Sequence, residues 1–205
     1  DYTIVASAGP GGTIAPDGTV HVPTGHDTTF TITPDAGHVI ADVLVDGFSV
    51  GAVPSYTFYA VDASHTIAAS FTANTYALTV NVTGSGSVNR HPDAPTYAHG
   101  TPVELTAVPG TGFAFTGWAG DLTGTANPDT VLMDAAKTVT ASFADVAGPA
   151  VQVTSPNGTE IVSPYAPATI TWEATDNVGV TSVDIELSRS GPAGPWETLA
   201  TGEAN

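Results

Sequence analysis

The sequence predicts an all-β protein, small β modules in tandem followed by an incomplete β-sandwich, and three observations carry that expectation. Apolar residues alternate with Thr at the strand period of two, as in Thr29-Phe30-Thr31-Ile32-Thr33 and in Val103, Leu105 and Ala107 separated by Glu104 and Thr106. A set of landmarks returns in the same order 72 to 75 residues later. No stretch of helical length keeps an uninterrupted 3.6-residue period, and the nearest candidate, residues 60–64, amounts to one turn.

The repeat is read from five landmarks. His65-Thr-Ile-Ala-Ala-Ser-Phe71 returns as Lys137-Thr-Val-Thr-Ala-Ser-Phe143; Pro34 and Gly37 return as Pro109 and Gly112, Gly25 as Gly100, and Tyr2 as Tyr76. A tandem duplication places one module at residues 1–74 and a second at 75–146, with length changes in Gly/Pro/Asp segments such as residues 120–129. Each copy closes on a strand, with Ile67, Ala69 and Phe71 inward in one and Val139, Ala141 and Phe143 in the other, and the two modules are expected to unfold semi-independently. Asp17-Gly18 and Asp46-Gly47 supply the positive φ of tight hairpins, while Gly11-Gly12 and Gly84-Ser85-Gly86 mark further reversals.

After Phe143 a linker at residues 144–149 leads into a third unit at residues 147–205 that has no partner in either repeat. Its strands are expected around Val151-Gln-Val153, at residues 169–174 with Ile170, Trp172 and Ala174 on one face, at 180–188 with Val183, Ile185 and Leu187 on one face, and at 196–200. About four strands are too few for an immunoglobulin-like sandwich of roughly seven. The remainder is expected from the same polypeptide beyond Asn205, from a neighbouring subunit by strand addition, or from the second repeat folding back.

Composition narrows function. Of 205 residues, 3 are Lys or Arg and 20 are Asp or Glu, a formal charge of −17, so little is present to neutralise phosphates or anionic lipid. Nucleic acid is not an expected partner. With no Cys, disulfide frameworks and thiol chemistry are excluded, and the longest apolar stretch, residues 39–45, is broken by Asp42 and far short of the roughly 18 residues that span a bilayer.

The candidate chemistry is sparse. Gly47-Phe-Ser-Val-Gly51 matches a nucleophile elbow, but Pro54 and an alternating aromatic pattern follow Ser49 where a helix is required, so a hairpin is expected. Gly9-Pro-Gly-Gly12 has no following Lys and reads as a turn. His21 and His26 fall near the region of His91 and His99 in the second copy, with Asp27 and Asp93 as neighbouring carboxylates, yet their columns do not coincide and solvated loop histidines are expected. Asp121, Asp129, Asp176 and Asp184 offer hard oxygens for calcium without forming a spaced loop motif. Trp172 is expected in a core and Trp118 as a repeat anchor; Trp196, between Pro195 and Glu197, is either a sugar platform or packed over a sheet edge. Tyr59 and Tyr97 are expected at the surface. No catalytic, cofactor or metal residue is therefore assigned.

Gly112-Phe-Ala-Phe-Thr-Gly-Trp-Ala-Gly-Asp121 followed by Met133-Asp-Ala-Ala-Lys-Thr-Val-Thr-Ala-Ser-Phe143 resembles the divergent internalin-type B-repeats of bacterial surface and secreted proteins. The first copy, with Val43-Leu-Val-Asp-Gly47 in place of the Gly-Trp-x-Gly-Asp element, is similar to a variant of the same family. Ser155-Pro-Asn-Gly158, Ile170-Thr-Trp172 and Asp176-Asn-Val-Gly-Val180 are similar to immunoglobulin-like modules of bacterial extracellular proteins. The resemblance implies β-grasp-like repeats strung along a secreted or cell-surface polypeptide, with no catalytic residues to carry over; repetition without a chemical constellation gives the expected role, a non-catalytic stalk, spacer or adhesive segment whose partner is an unspecified protein or glycan at a surface. An accessory carbohydrate-binding region of a secreted hydrolase and a strand-exchanged fibre are the alternatives.

Overall fold

The computed structural model describes residues 1–158, 167–189 and 192–204 and is all-β, with no helix among them. The first repeat contains β1 (Tyr2–Ala8), β2 (Gly12–Ala15), β3 (Gly18–Val22), β4 (Thr28–Pro34), β5 (His38–Val45), β6 (Phe48–Gly51), β7 (Ser55–Phe58) and β8 (His65–Ala73). They form a five-stranded sheet in the order β3-β1-β8-β5-β6 and a three-stranded sheet, β2-β4-β7. The closing strand β8 is central, parallel to β1 and antiparallel to β5. This parallel first-and-last pair is the β-grasp-like feature, with a second sheet where a helix would otherwise cover the face.

Period-two alternation dictates which side chains meet. Ile4 and Ala6 of β1, Val43 of β5 and Ile67 and Ala69 of β8 share one buried core with Ile14, Phe30, Ile32 and Phe58 of the smaller sheet. Thr points outward between them: Thr29 Oγ1 lies 2.8 Å from Thr57 Oγ1 across β4 and β7. Phe30 and Phe58 pack edge to face, with centroids 5.9 Å apart.

The second repeat builds the same frame from β9 (Thr75–Tyr76), β10 (Leu78–Thr83), β11 (Gly86–His91), β12 (Tyr97–Ala98), β13 (Thr101–Pro109), β14 (Phe113–Gly120), β15 (Asp129–Met133) and β16 (Lys137–Asp145). Its sheets, β10-β16-β14, β11-β13-β15 and β12-β9, reproduce β1-β8-β5, β2-β4-β7 and β3-β1. Tyr76 faces Tyr97 as Tyr2 faces Val22. β6 has no strand counterpart; a single bridge from Trp118 to Gly124 stands there instead.

Two turn expectations divide. Asp46 and Gly47 have φ of 50° and 82° and close the β5–β6 hairpin as expected. Asp17-Gly18 makes no hairpin, because β2 pairs with β4 and β3 pairs with β1, so the chain changes sheets there. The reversals at Gly11-Gly12 and around Ser85 likewise carry the chain from one sheet to the other. They also give the closing phenylalanine its seat: a Cβ on Gly12 would overlap the Phe71 ring, and one on Gly86 would come within 2.6 Å of the Phe143 ring.

The third unit has β17 (Ala150–Ser155), β18 (Thr171–Thr175), β19 (Ser182–Ser188) and β20 (Trp196–Ala204), paired antiparallel as β17-β18 and β19-β20. Val151, Val153 and Trp172 from the first pair, Ile170 just before β18, and Val183 and Ile185 from the second pair line a crevice of about 140 Å³. Trp172 is thus half-buried, while Leu187 is exposed. The chain groups into two compact units: Asp1–Asn81, Val88–Thr106 and Trp118–Thr140, and Val82–Ser87, Ala107–Gly117 and Ala141–Asn205.

The inward closing-strand positions differ in depth. Phe143 is 5% exposed, whereas Phe71 is only partly buried against its core. Phe143→Ala is therefore expected to cost about 3–5 kcal/mol in denaturant melts and Phe71→Ala less, because part of that ring is already hydrated. Amide exchange in Phe143→Ala should rise more in residues 75–143 than in residues 1–74; equal loss in both would point to one fused core.

Candidate functional site

The most constructed polar site is a carboxylate clamp at the entry of each closing strand. Asp46 ends the Val43-Leu-Val-Asp run, and its backbone N–H donates to the Thr66 carbonyl at 3.0 Å. The Thr66 N–H donates back to Asp46 Oδ1 at 2.7 Å, and His65 Nδ1 lies 2.6 Å from Asp46 Oδ2. A carboxylate only accepts, so Nδ1 carries the proton. The His65 ring lies against Phe58, with centroids 4.9 Å apart. Two charge-assisted bonds from a single side chain thus set the first residues of β8.

The second repeat repeats the clamp. The Asp121 N–H donates to the Thr138 carbonyl at 2.9 Å, and the Thr138 N–H to Asp121 Oδ2 at 2.7 Å. Lys137 stands in the place of His65, with Nζ 3.9 Å from Asp121 Oδ1 and 2.6 Å from Asp134 Oδ1. Its hydrogen bond holds the Asp134 carboxyl below the usual range and raises the Lys137 ammonium above its own. Trp118 occupies the buried position held by Val43 in the first copy, and its Nε1–H donates to the Ala126 carbonyl at 2.8 Å. In the sequence Asp46 reads as a turn residue and Asp121 as a calcium candidate. Placing Trp118 on Val43 aligns the two aspartates, which was the available signal.

The remaining candidates stay apart. Ser49 lies in the hairpin, and its hydroxyl donates to Asp42 Oδ1 at 2.7 Å, with no helix beyond it. His21 is in β3; His26 Nδ1 is 3.4 Å from the Thr24 carbonyl, His91 ends β11 and His99 stands just before β13. Asp27 accepts the Ala60 N–H at 2.8 Å, and Asp93 pairs with Arg90 at 3.0 Å. Asp129, Asp176 and Asp184 each accept one backbone N–H, from Thr130, Asn177 and Gly202. Among the described residues no three His, Asp or Glu side chains group as a metal site.

The aromatics also separate. Trp118 is the buried anchor expected of it, and Tyr59 is exposed. Tyr97, expected at the surface, is buried; its hydroxyl donates to the Pro92 carbonyl at 3.0 Å and accepts the Ala94 N–H at 3.3 Å, a loop the alternation pattern does not reveal. Trp196 is 55% exposed on β20 and lines a shallow groove with Leu187, Arg189, Pro195 and Glu197.

The clamp makes a prediction for acid stability. The Asp46 carboxyl is held below the ordinary aspartate range, first by the His65 hydrogen bond and then by the Thr66 N–H. A depressed folded value contributes stability at pH above the unfolded value of about 3.9, and that contribution is lost as pH falls through the folded value. Asp46→Asn should therefore lower the melting temperature at neutral pH and flatten its decline on acidification. A parallel downward shift at every pH would show that the carboxylate charge is not what holds the strand.

The comparisons with known proteins follow the same division. The family model described as the divergent InlB B-repeat domain matches residues 2–75 and again 76–147, and the bacterial Ig domain model matches residues 149–199. No curated protein and no solved structure matches the chain. With its two copies together covering well over half of the residues, on the frame that the two clamps close, the chain belongs to the divergent InlB B-repeat domain family, and the repeats are followed by a partial bacterial Ig domain.

Proposed function

We propose that this chain is a non-catalytic segment of a bacterial secreted or cell-surface protein, a stalk or spacer that sets the distance between a surface and an adhesive or enzymatic partner. Its modules are taken as residues 1–74, 75–146 and 147–205. The observation that carries the reading is that the same clamp is built twice in tandem, so the polar side chains most particular to the repeat hold the repeat's own strands together. The Ser49 hydroxyl is likewise engaged in a hairpin by Asp42. Tandem B-repeats followed by an Ig domain are consistent with an extracellular surface-protein segment.

Trp196 favours a second reading, an accessory carbohydrate-binding region, because an exposed ring beside Pro195 offers a flat apolar face to a sugar. A glycan array probed with the purified chain separates the two. The spacer reading expects no specific binding, whereas binding that disappears in Trp196→Ala would replace it with carbohydrate recognition. Light scattering on the same sample tests strand exchange: regular filaments would make assembly the principal role.

A further inference from the structure

We propose that each repeat carries a glycine socket in the turn that opens β5 or β14, and that this socket receives a planar polar side chain from the module that follows, fixing successive modules in register. In the first repeat the turn runs from Asp35 to His38, closed by the His38 N–H donating to the Asp35 carbonyl at 3.0 Å. Gly37 sits in it with φ of 74°. Its carbonyl accepts the N–H of the linker residue Asn74 at 2.7 Å, and the Asn74 carbonyl accepts the N–H of His99 at 2.8 Å. The His99 ring lies against Gly37 so closely that a Cβ there would overlap the imidazole. Tyr76 meets the same ring edge-on, with centroids 6.0 Å apart.

The second repeat has the same parts and a different occupant. Its turn runs from Gly110 to Phe113, closed at 3.0 Å, with Gly112 at φ 78°. The Gly112 carbonyl accepts the N–H of Val146 at 2.9 Å and of Ala147 at 3.2 Å. Val146 is the counterpart of Asn74 in the repeat alignment. A Cβ on Gly112 would come within 2.8 Å of Asn177 Nδ2 and 3.1 Å of the Ala147 Cβ. That amide donates to Asp145 Oδ1 at 3.0 Å, and the same oxygen accepts the Ala147 N–H at 3.0 Å.

Positive φ alone does not account for these glycines. Gly25 and Gly100 both have φ of 80°, and a Cβ on either would meet nothing within 4 Å. Backbone conformation explains those two, whereas Gly37 and Gly112 must also leave room for a neighbour. The occupants are an imidazole from a B-repeat and a carboxamide from an Ig domain, so the socket selects a flat side chain rather than a module type.

The chain has no cysteine, so spin labels can be placed cleanly at exposed positions, Phe48→Cys in the first repeat and Leu132→Cys in the second. Double electron–electron resonance should give one narrow distance peak. Gly37→Ala should lose that narrow peak, and Gly25→Ala, which suffers the same backbone strain in open space, should keep it. His99→Ala leaves Gly37 intact and should also lose the peak, which carries the test even where Gly37→Ala unfolds the repeat. With labels at Val108→Cys and Leu199→Cys, Asn177→Ala should broaden the second joint and Gly100→Ala should not. A broad distribution in the native chain, equal effects of Gly25→Ala and Gly37→Ala, or a silent His99→Ala would overturn the socket while leaving a flexible spacer possible. A glycan hit would overturn the spacer and leave the socket standing.

Discussion

The fold depends on placing its last strand correctly. In each repeat the closing strand enters the middle of an existing sheet, so β8 must match β1 on one side and β5 on the other. A slip of one residue would turn Ile67 and Ala69 outward and bring Thr66 and Ala68 into the core, because side chains alternate faces. The Asp46 clamp opposes that slip at the first two residues of the strand. The backbone bond between Asp46 and Thr66 continues the β5–β8 pairing one residue past Val45, and in this register the carboxylate adds a second bond, from the Thr66 N–H. Asp121 performs the same task on Thr138 with a different side-chain donor alongside, so the aspartate and the backbone partner are the constant parts and His65 or Lys137 is the variable one.

What the sequence revealed follows from the range of each interaction. Phe30, Ile32, Val103, Leu105, Ile67 and Val139 were readable as core because alternation is local, and all are buried. The hairpin at Asp46-Gly47 was readable because its turn chemistry lies within two residues. Asp17-Gly18 misled for the same reason: the dipeptide specifies a turn but not whether the flanking strands pair, and here Ala6 of β1 takes the partner position beside Gly18. Tyr97 misled because its burial comes from pairing with Tyr76, some twenty residues away, and from a hydroxyl closing the Pro92–Ala94 loop. The clamp was hidden because its two parts are separated by 20 residues in one copy and 17 in the other, so no fixed-spacing motif contains it.

The joints show how a repeat accommodates different successors. Asn177 reaches Gly112 and is anchored by the Asp145 carboxylate, whereas the corresponding position in the first repeat is Ala73, whose side chain offers no acceptor. His99 accordingly has a buried Nδ1 without a hydrogen-bond partner among the described residues. Leaving such a nitrogen unsatisfied costs on the order of 1–3 kcal/mol. The first joint is thus held by the backbone relay through Asn74 and by ring packing, and the second by the Gly112 carbonyl's bonds to Val146 and Ala147 together with the Asp145–Asn177 side-chain bond.

The acidic composition has a structural cause that net charge alone conceals. Aspartate outnumbers glutamate 14 to 6, and Asp27, Asp42, Asp46, Asp121, Asp129, Asp145, Asp176 and Asp184 each accept a backbone N–H. The short side chain suits that purpose, since it reaches nearby amides in turns and at strand entries, where a longer acid would lose more rotamer entropy. A protein of short strands and many turns has many amides outside its ladders, and an ionised acceptor is a strong partner for them. Lysine and arginine cannot replace aspartate there, because they only donate. The excess of acid over base therefore follows in part from the number of turns, and a carboxylate already bonded to an amide has less capacity for a metal ion than its formal charge suggests.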